Sequence, residues 1–155
     1  MTNRLGLIAV AVAAMWLVNA PEAAAQAPSC TVSATSVSFG TYNAFDSADR
    51  QSSGTVTYSC NKATNNISIS LGPGSSGTFG GRTMTKGGEK LGYNLFIDAA
   101  RSGIWGDGTS GTAIYTRNNP PPNNNVSVTI FASIAAGQDV SAGTYTDTVS
   151  VVINF

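Results

Sequence analysis

Beyond residue 30, apolar residues recur at every second position in one short run after another, and this spacing is the strongest constraint on the fold. Val56, Tyr58 and Cys60 share one phase, as do Ile67, Ile69 and Leu71, then Leu91, Tyr93, Leu95 and Ile97, then Val126, Val128, Ile130 and Ala132. Ile114 sits in a short apolar stretch beside Tyr115, and the last run carries Val149, Val151, Ile153 and Phe155, with Tyr145 in the same phase. A period of two gives each strand one apolar face. Val32 and Ala34 lie in one phase and Val37 and Phe39 in the other, so the first strand is expected to change faces near Thr35 and Ser36 through a bulge or sheet switch. Gly72-Pro73-Gly74, Gly80-Gly81, Gly87-Gly88, Gly106-Asp107-Gly108 and Ala142-Gly143 supply turns between the runs. Six to seven short strands of this kind predict an all-β chain, an immunoglobulin-like β-sandwich. Composition agrees: from Gln26 on, Ser, Thr, Asn and Gly make nearly half the residues, while Leu, Met, Glu and Lys are scarce. Disorder would need high net charge and few apolar residues, yet 8 Lys+Arg balance 8 Asp+Glu and 42% of the chain is hydrophobic.

The sandwich is expected over residues 26–155, behind a secretory signal peptide over residues 1–25. Arg4 precedes an apolar run from Leu5 to Val18, and the small residues Ala23, Ala24 and Ala25 follow. The run is shorter than the roughly 20 residues that span a bilayer. Cleavage after Ala25 is preferred to cleavage after Ala27, because Pro28 would then sit just past the scissile bond. In an exported chain two cysteines most simply form one disulfide, Cys30 to Cys60, since the compartment is oxidising and no thiol is left over. Closing a loop of about 30 residues stabilises a fold by roughly 3 to 4 kcal/mol in the chain-entropy model.

The chain has no histidine, so a Ser-His-Asp or Cys-His nucleophile and a His-ligated metal cannot be built. Zero net charge without Lys/Arg runs argues against nucleic acid as a partner. Carboxylates are present at Asp46, Asp49, Glu89, Asp98, Asp107, Asp139 and Asp147, but nothing in their spacing selects a catalytic pair. No enzyme activity, cofactor or metal ion is expected. The stretches Gly72–Gly81 and Arg117–Asn125 read as polar surface loops, the second as low-complexity sequence that cannot pack. In the loop Gly103–Gly111, Trp105 with Asp107 is a speculative ligand contact, although a loop tryptophan in a small sandwich more often plugs one end of the core.

The final run raises a different question. Tyr145, Val149, Val151, Ile153 and Phe155 form a regular alternating strand with no further strand after it in this sequence. An apolar strand edge is normally hidden. Either an earlier strand closes the sheet, or another chain does so by strand addition.

Several ordered motifs resemble one family. Cys30 followed by V-S-A-T-S-V-S-F-G-T-Y after Thr31, S-G-T-V-T-Y-S-C ending at Cys60, R-T-M at Arg82–Met84, L-G-Y-N-L-F-I-D from Leu91, I-W-G-D-G-T-S-G-T from Ile104, I-A-A-G-Q-D-V-S-A-G-T-Y-T-D-T-V from Ile134 and the terminal V-V-I-N-F look like the spore coat protein U domain, which is similar to the pilin subunits of archaic chaperone-usher pili. The resemblance covers essentially all of Cys30–Phe155. It implies an incomplete sandwich lacking its final strand, with an acceptor groove beside Tyr145, Val149, Val151, Ile153 and Phe155. A periplasmic chaperone would first lend the missing strand, and a neighbouring pilin subunit would replace it at the outer-membrane usher. The protein would then pass through the periplasm to the cell surface or an extracellular fibre, where pilus function in cell adhesion and biofilm is implied.

Family donors usually extend some ten to twenty alternating residues ahead of the first cysteine, whereas cleavage after Ala25 leaves Gln26, Ala27, Pro28 and Ser29. Four residues reach at most about 14 Å, against roughly 33 Å for a ten-residue strand. This chain is therefore expected to accept a strand without donating one, which suits a terminal or tip position. The alternative expectation is a self-complete secreted module that binds a carbohydrate, whether glycan or matrix, or an abiotic surface.

Overall fold

A computed structural model describes residues 26–155; the expected signal peptide lies outside the described residues. The strands are β1 (Cys30–Ala34), β2 (Arg50–Cys60), β3 (Asn66–Leu71), β4 (Thr83–Lys86), β5 (Glu89–Gly92), β6 (Asn94–Phe96), β7 (Tyr115–Asn118), β8 (Val126–Ile134) and β9 (Val151–Asn154). They form a four-stranded sheet in the order β1-β2-β8-β6, a three-stranded sheet in the order β7-β3-β9, and a β4-β5 hairpin. This is the expected immunoglobulin-like sandwich.

The alternation produces the core directly. Val56, Tyr58 and Cys60 on β2 and Ile130, Ala132 and Ile134 on β8 are buried on one sheet, and Ile67, Ile69 and Leu71 on β3 are buried on the other. Each valine, leucine or isoleucine among them contributes roughly 1.5–3 kcal/mol when fully removed from water. The disulfide joins Cys30 to Cys60, which stand directly opposite each other across β1 and β2 with Cα atoms 4.1 Å apart. It ties an edge strand to its neighbour.

Two expectations about strand boundaries change. The run Leu91–Ile97 is not one strand: β5 pairs with β4 and β6 pairs with β8, so the chain passes between sheets at Tyr93. Its period stays unbroken because Leu91, Tyr93 and Leu95 all face the same core. The Gln138 side chain replaces the ladder at the crossing, accepting from the Gly92 N–H at 2.7 Å and donating to the Gly92 carbonyl at 2.8 Å. The hairpin strand β4, with Met84 as its one apolar residue, carries too little alternation to be foreseen. Its turn is supplied by Gly87, at φ 59°, a left-handed conformation natural to glycine.

The face change near Thr35 occurs as expected. Thr35 still bonds Thr55, its N–H reaching the Thr55 carbonyl at 2.9 Å and its hydroxyl accepting the Thr55 N–H at 2.9 Å. The backbone ladder then stops, and the chain stays beside β2 through the Ser52 hydroxyl on the Ser38 carbonyl (2.6 Å) and Arg50 Nε on the Phe39 carbonyl (2.8 Å), with Val37 half-buried and Phe39 buried. The loop Arg117–Asn125 is a correction. It begins inside β7, and Pro120 is fully buried, because the backbone is tied at Asn119 N–H to the Asn65 carbonyl (2.8 Å) and at Asn123 N–H to the Cys60 carbonyl (2.7 Å).

Candidate acceptor groove

The two sheets present edge strands on the same flank. β1 pairs only with β2, and β9 pairs only with β3. They approach each other without a hydrogen-bonded ladder. Between them lies a cavity of about 490 Å³, walled by Thr35, Val37 and Phe39 on one side and by Tyr145, Asp147, Val149 and Val151 on the other, over a floor of Leu71, Tyr93, Leu95 and Ile130. A second cavity of about 780 Å³ shares Val37, Phe39, Met84 and Tyr145 with the first and continues past Leu91, Ile134 and Val140. Together they make one elongated groove with an apolar floor and mixed walls that follows the terminal strand.

The backbone polarity of that strand follows from its contacts. Thr146 exchanges both backbone bonds with Thr85, and the Ser150 carbonyl accepts from Gly72 N–H at 2.8 Å. Residues two apart aim their N–H and C=O groups to the same side. Thr146, Ser150, Val152 and Asn154 thus bond toward β3 and β4, while the backbone groups of Asp147, Val149 and Val151 face the groove. Among the described residues no strand pairs with that edge. Unpaired backbone groups beside an apolar floor are the requirement for adding a strand.

Side chains hold the groove wall where the ladder is thin. Asp147 accepts from the Ser75 N–H (2.9 Å), the Ser75 hydroxyl (2.6 Å) and the Tyr93 hydroxyl (2.6 Å). Burial works against its charge, but these hydrogen bonds outweigh it and hold the carboxyl below the ordinary range. Burial first, and then the bond to Asp147, push the Tyr93 phenol up. At the far end Glu89 accepts from the Ser141 hydroxyl and from the Tyr145 hydroxyl, and lies 3.7 Å from the Lys86 ammonium. The Ser141 bond, and then that of Tyr145, lower its pKa.

On the opposite, closed flank sits Arg82, with no exposed surface. Its guanidinium donates to the carbonyls of Gly72 (2.8 and 3.0 Å) and Trp105 (2.7 Å) and to Asn94 Oδ1 (2.8 Å). Desolvation lowers its pKa, and the four donated bonds provide what water would have given. The sequence singled out Arg82 only as part of a motif. Its role was not legible, because its partners come from three separate segments.

Of the five residues expected at the groove, Tyr145, Val149 and Val151 line it. Ile153 packs against the core beyond its end. Phe155 is a correction: it is 52% exposed and lies beside Asn66 and Asn154 at a different cavity, because the strand runs past the groove. The proposed contact at Trp105 and Asp107 is also corrected. Trp105 is fully buried and its indole N–H donates to the Ile69 carbonyl at 2.9 Å, so it has no face to offer a ligand. Asp107 instead caps its own turn through the Thr109 N–H (2.9 Å) and hydroxyl (2.6 Å).

Comparison with known proteins points to the same architecture. The model of the spore coat protein U domain family matches residues 14–152. Among solved structures, the chain is similar to a chain in the crystal structure of the CsuC-CsuE chaperone-tip adhesion subunit pre-assembly complex from archaic chaperone-usher Csu pili of Acinetobacter baumannii. That match has 25% sequence identity and a TM-score of 0.56, and covers 83% of this chain and 40% of that chain. This chain thus spans well under half the length of the solved one. No curated protein matches it.

Proposed function

Since the chain belongs to the spore coat protein U domain family, we propose that it is a structural subunit of a chaperone-usher surface fibre, and that the groove between β1 and the terminal strand accepts a strand from a partner. The observation that carries this reading is the unpaired inner edge of Asp147–Val151 over an apolar floor. A donor would pair its main chain with that edge and place alternate side chains in the two cavities. Four buried apolar anchors contribute roughly 6–12 kcal/mol at 1.5–3 kcal/mol each. Association and ordering cost about 4–15 kcal/mol, so one or two anchors would not suffice and a donor must run most of the groove.

The partners in this reading are a periplasmic chaperone, then a neighbouring subunit at an outer-membrane usher, with export through the periplasm to the surface. The similar CsuC-CsuE structure, a complex of a chaperone with a tip adhesion subunit before assembly, supports it. A terminal position in the fibre belongs to the same proposal and turns on the mature N-terminus. If export trims the chain to Gln26, only four residues precede Cys30, and the subunit accepts without donating. Co-purification from the periplasm with and without a co-expressed chaperone tests the acceptor role. A stable chain that is indifferent both to chaperone and to alternating apolar peptides would overturn it.

A further inference from the structure

The outer face of the second sheet carries an open cavity of about 470 Å³, separate from the groove and lined by Asn66, Ile67, Ser68, Thr116, Asn118, Asn154 and Phe155. The strand register fixes the layout. Asn66 stands opposite Asn118, Ser68 opposite Thr116, and Ser68 on its other side opposite Asn154. Cross-strand neighbours lie about 5 Å apart, so three amides and two hydroxyls form one polar grid. Phe155 at 52% exposure and Val152 at 47% supply apolar surface at its border.

Asparagine is disfavoured in strand interiors. Elsewhere some amides serve the fold: Asn43 bonds Asp46, Asn61 accepts from Ser29 N–H, and Asn94 accepts from Arg82, whereas, among the described residues, those of Asn65, Asn119, Asn123 and Asn125 do not. The amides of Asn66, Asn118 and Asn154 form no such bond among the described residues and are exposed. Three amides at the ends of β3, β7 and β9 therefore converge on one face and stay free for an external partner.

We propose that this face binds a neutral polysaccharide. Each amide offers an acceptor oxygen and two donor hydrogens, and each sugar hydroxyl is both donor and acceptor, so the grid matches adjacent hydroxyls without displacing internal bonds. The Phe155 ring suits the C–H face of a sugar ring. No ionisable side chain lines the cavity. Arg117 falls in the opposite phase of β7, opposite Ile67, so the face has no cationic side chain for a phosphate or uronate. The site does not depend on strand acceptance, since its lining shares no residue with the groove.

The test is retention of the exported full chain on cellulose, chitin and cross-linked α-glucan, with the anionic polysaccharide alginate as control. Retention is expected on at least one neutral matrix, reduced at least tenfold by Asn118→Ala and by Asn66→Ala, and unchanged by Asp107→Ala. Melting curves of the variants ensure that each compared chain is folded, and Phe155→Ala provides a third variant beyond the ladder of β9. Failure of all three neutral matrices to retain the chain, equal retention of the folded variants, or stronger retention on alginate would each overturn the proposal.

Discussion

The two flanks of the sandwich face the same problem and meet it differently. On one flank the segment Ile104–Gly106 bridges the sheets: Trp105 N–H donates to the Leu95 carbonyl on β6 at 2.9 Å, and Leu71 N–H on β3 donates to the Gly106 carbonyl at 3.2 Å. The indole fills the space between, and Arg82 gathers the carbonyls of Gly72 and Trp105. On the other flank, between β1 and the terminal strand, no segment crosses among the described residues, and a groove with an apolar floor remains. A sheet edge is thus either closed by the chain's own loop or left for a partner. The difference is a matter of one tethered tryptophan.

Mutation can break this contrast from the closed side first. Trp105→Ala should cost about 3–5 kcal/mol in urea unfolding, since it opens a cavity and removes the indole's bond to the Ile69 carbonyl. Arg82→Met should cost about 3 kcal/mol by leaving the carbonyls of Gly72 and Trp105 without their donor. On the open side the expectation reverses. Val149→Asp should change the stability of the unfilled chain by less than about 1 kcal/mol, because a charge in an open groove stays hydrated. It should weaken donor-strand binding by about a hundredfold, or roughly 3 kcal/mol, once the strand excludes water. A large loss of intrinsic stability for Val149→Asp would mean that the groove is already closed.

The smallest effect concerns pH. The Asp147 carboxyl sits below its ordinary range in the folded chain, so its contribution is present above the unfolded carboxylate pKa and is lost as pH falls through the lower folded value. The melting temperature of wild type should therefore decline on acidification below about pH 4. Asp147→Asn should flatten part of that decline, and an unchanged profile would remove Asp147 as a charged brace of the groove wall.

The sequence announced the open flank more clearly than the closed one. Tyr145, Val149 and Val151 were legible because a half-buried strand keeps strict alternation whether or not its neighbour is present. Extending the phase to Phe155 failed, since periodicity says which face a residue takes but not where the groove ends. The same limit hid the passage at Tyr93: one unbroken period serves two sheets when both borders enclose a single core. Arg82 and Asp147 escaped notice for another reason. Their partners, Gly72 and Trp105 for one and Ser75 and Tyr93 for the other, are brought together only by the fold. The missing hairpin strand β4 shows that a short strand with one apolar residue leaves no periodic trace.

Amide hydrogen exchange along the terminal strand, in the unfilled chain and again with an alternating apolar donor peptide bound, tests the open edge most directly. The structure predicts that Thr146 and Val152, which bond toward β4 and β3, are protected in both states. Val149 and Val151 should exchange freely when the groove is empty and become protected when the donor binds. Protection of Val149 and Val151 in the unfilled chain, or their continued exchange beside a bound donor, would contradict an open acceptor edge.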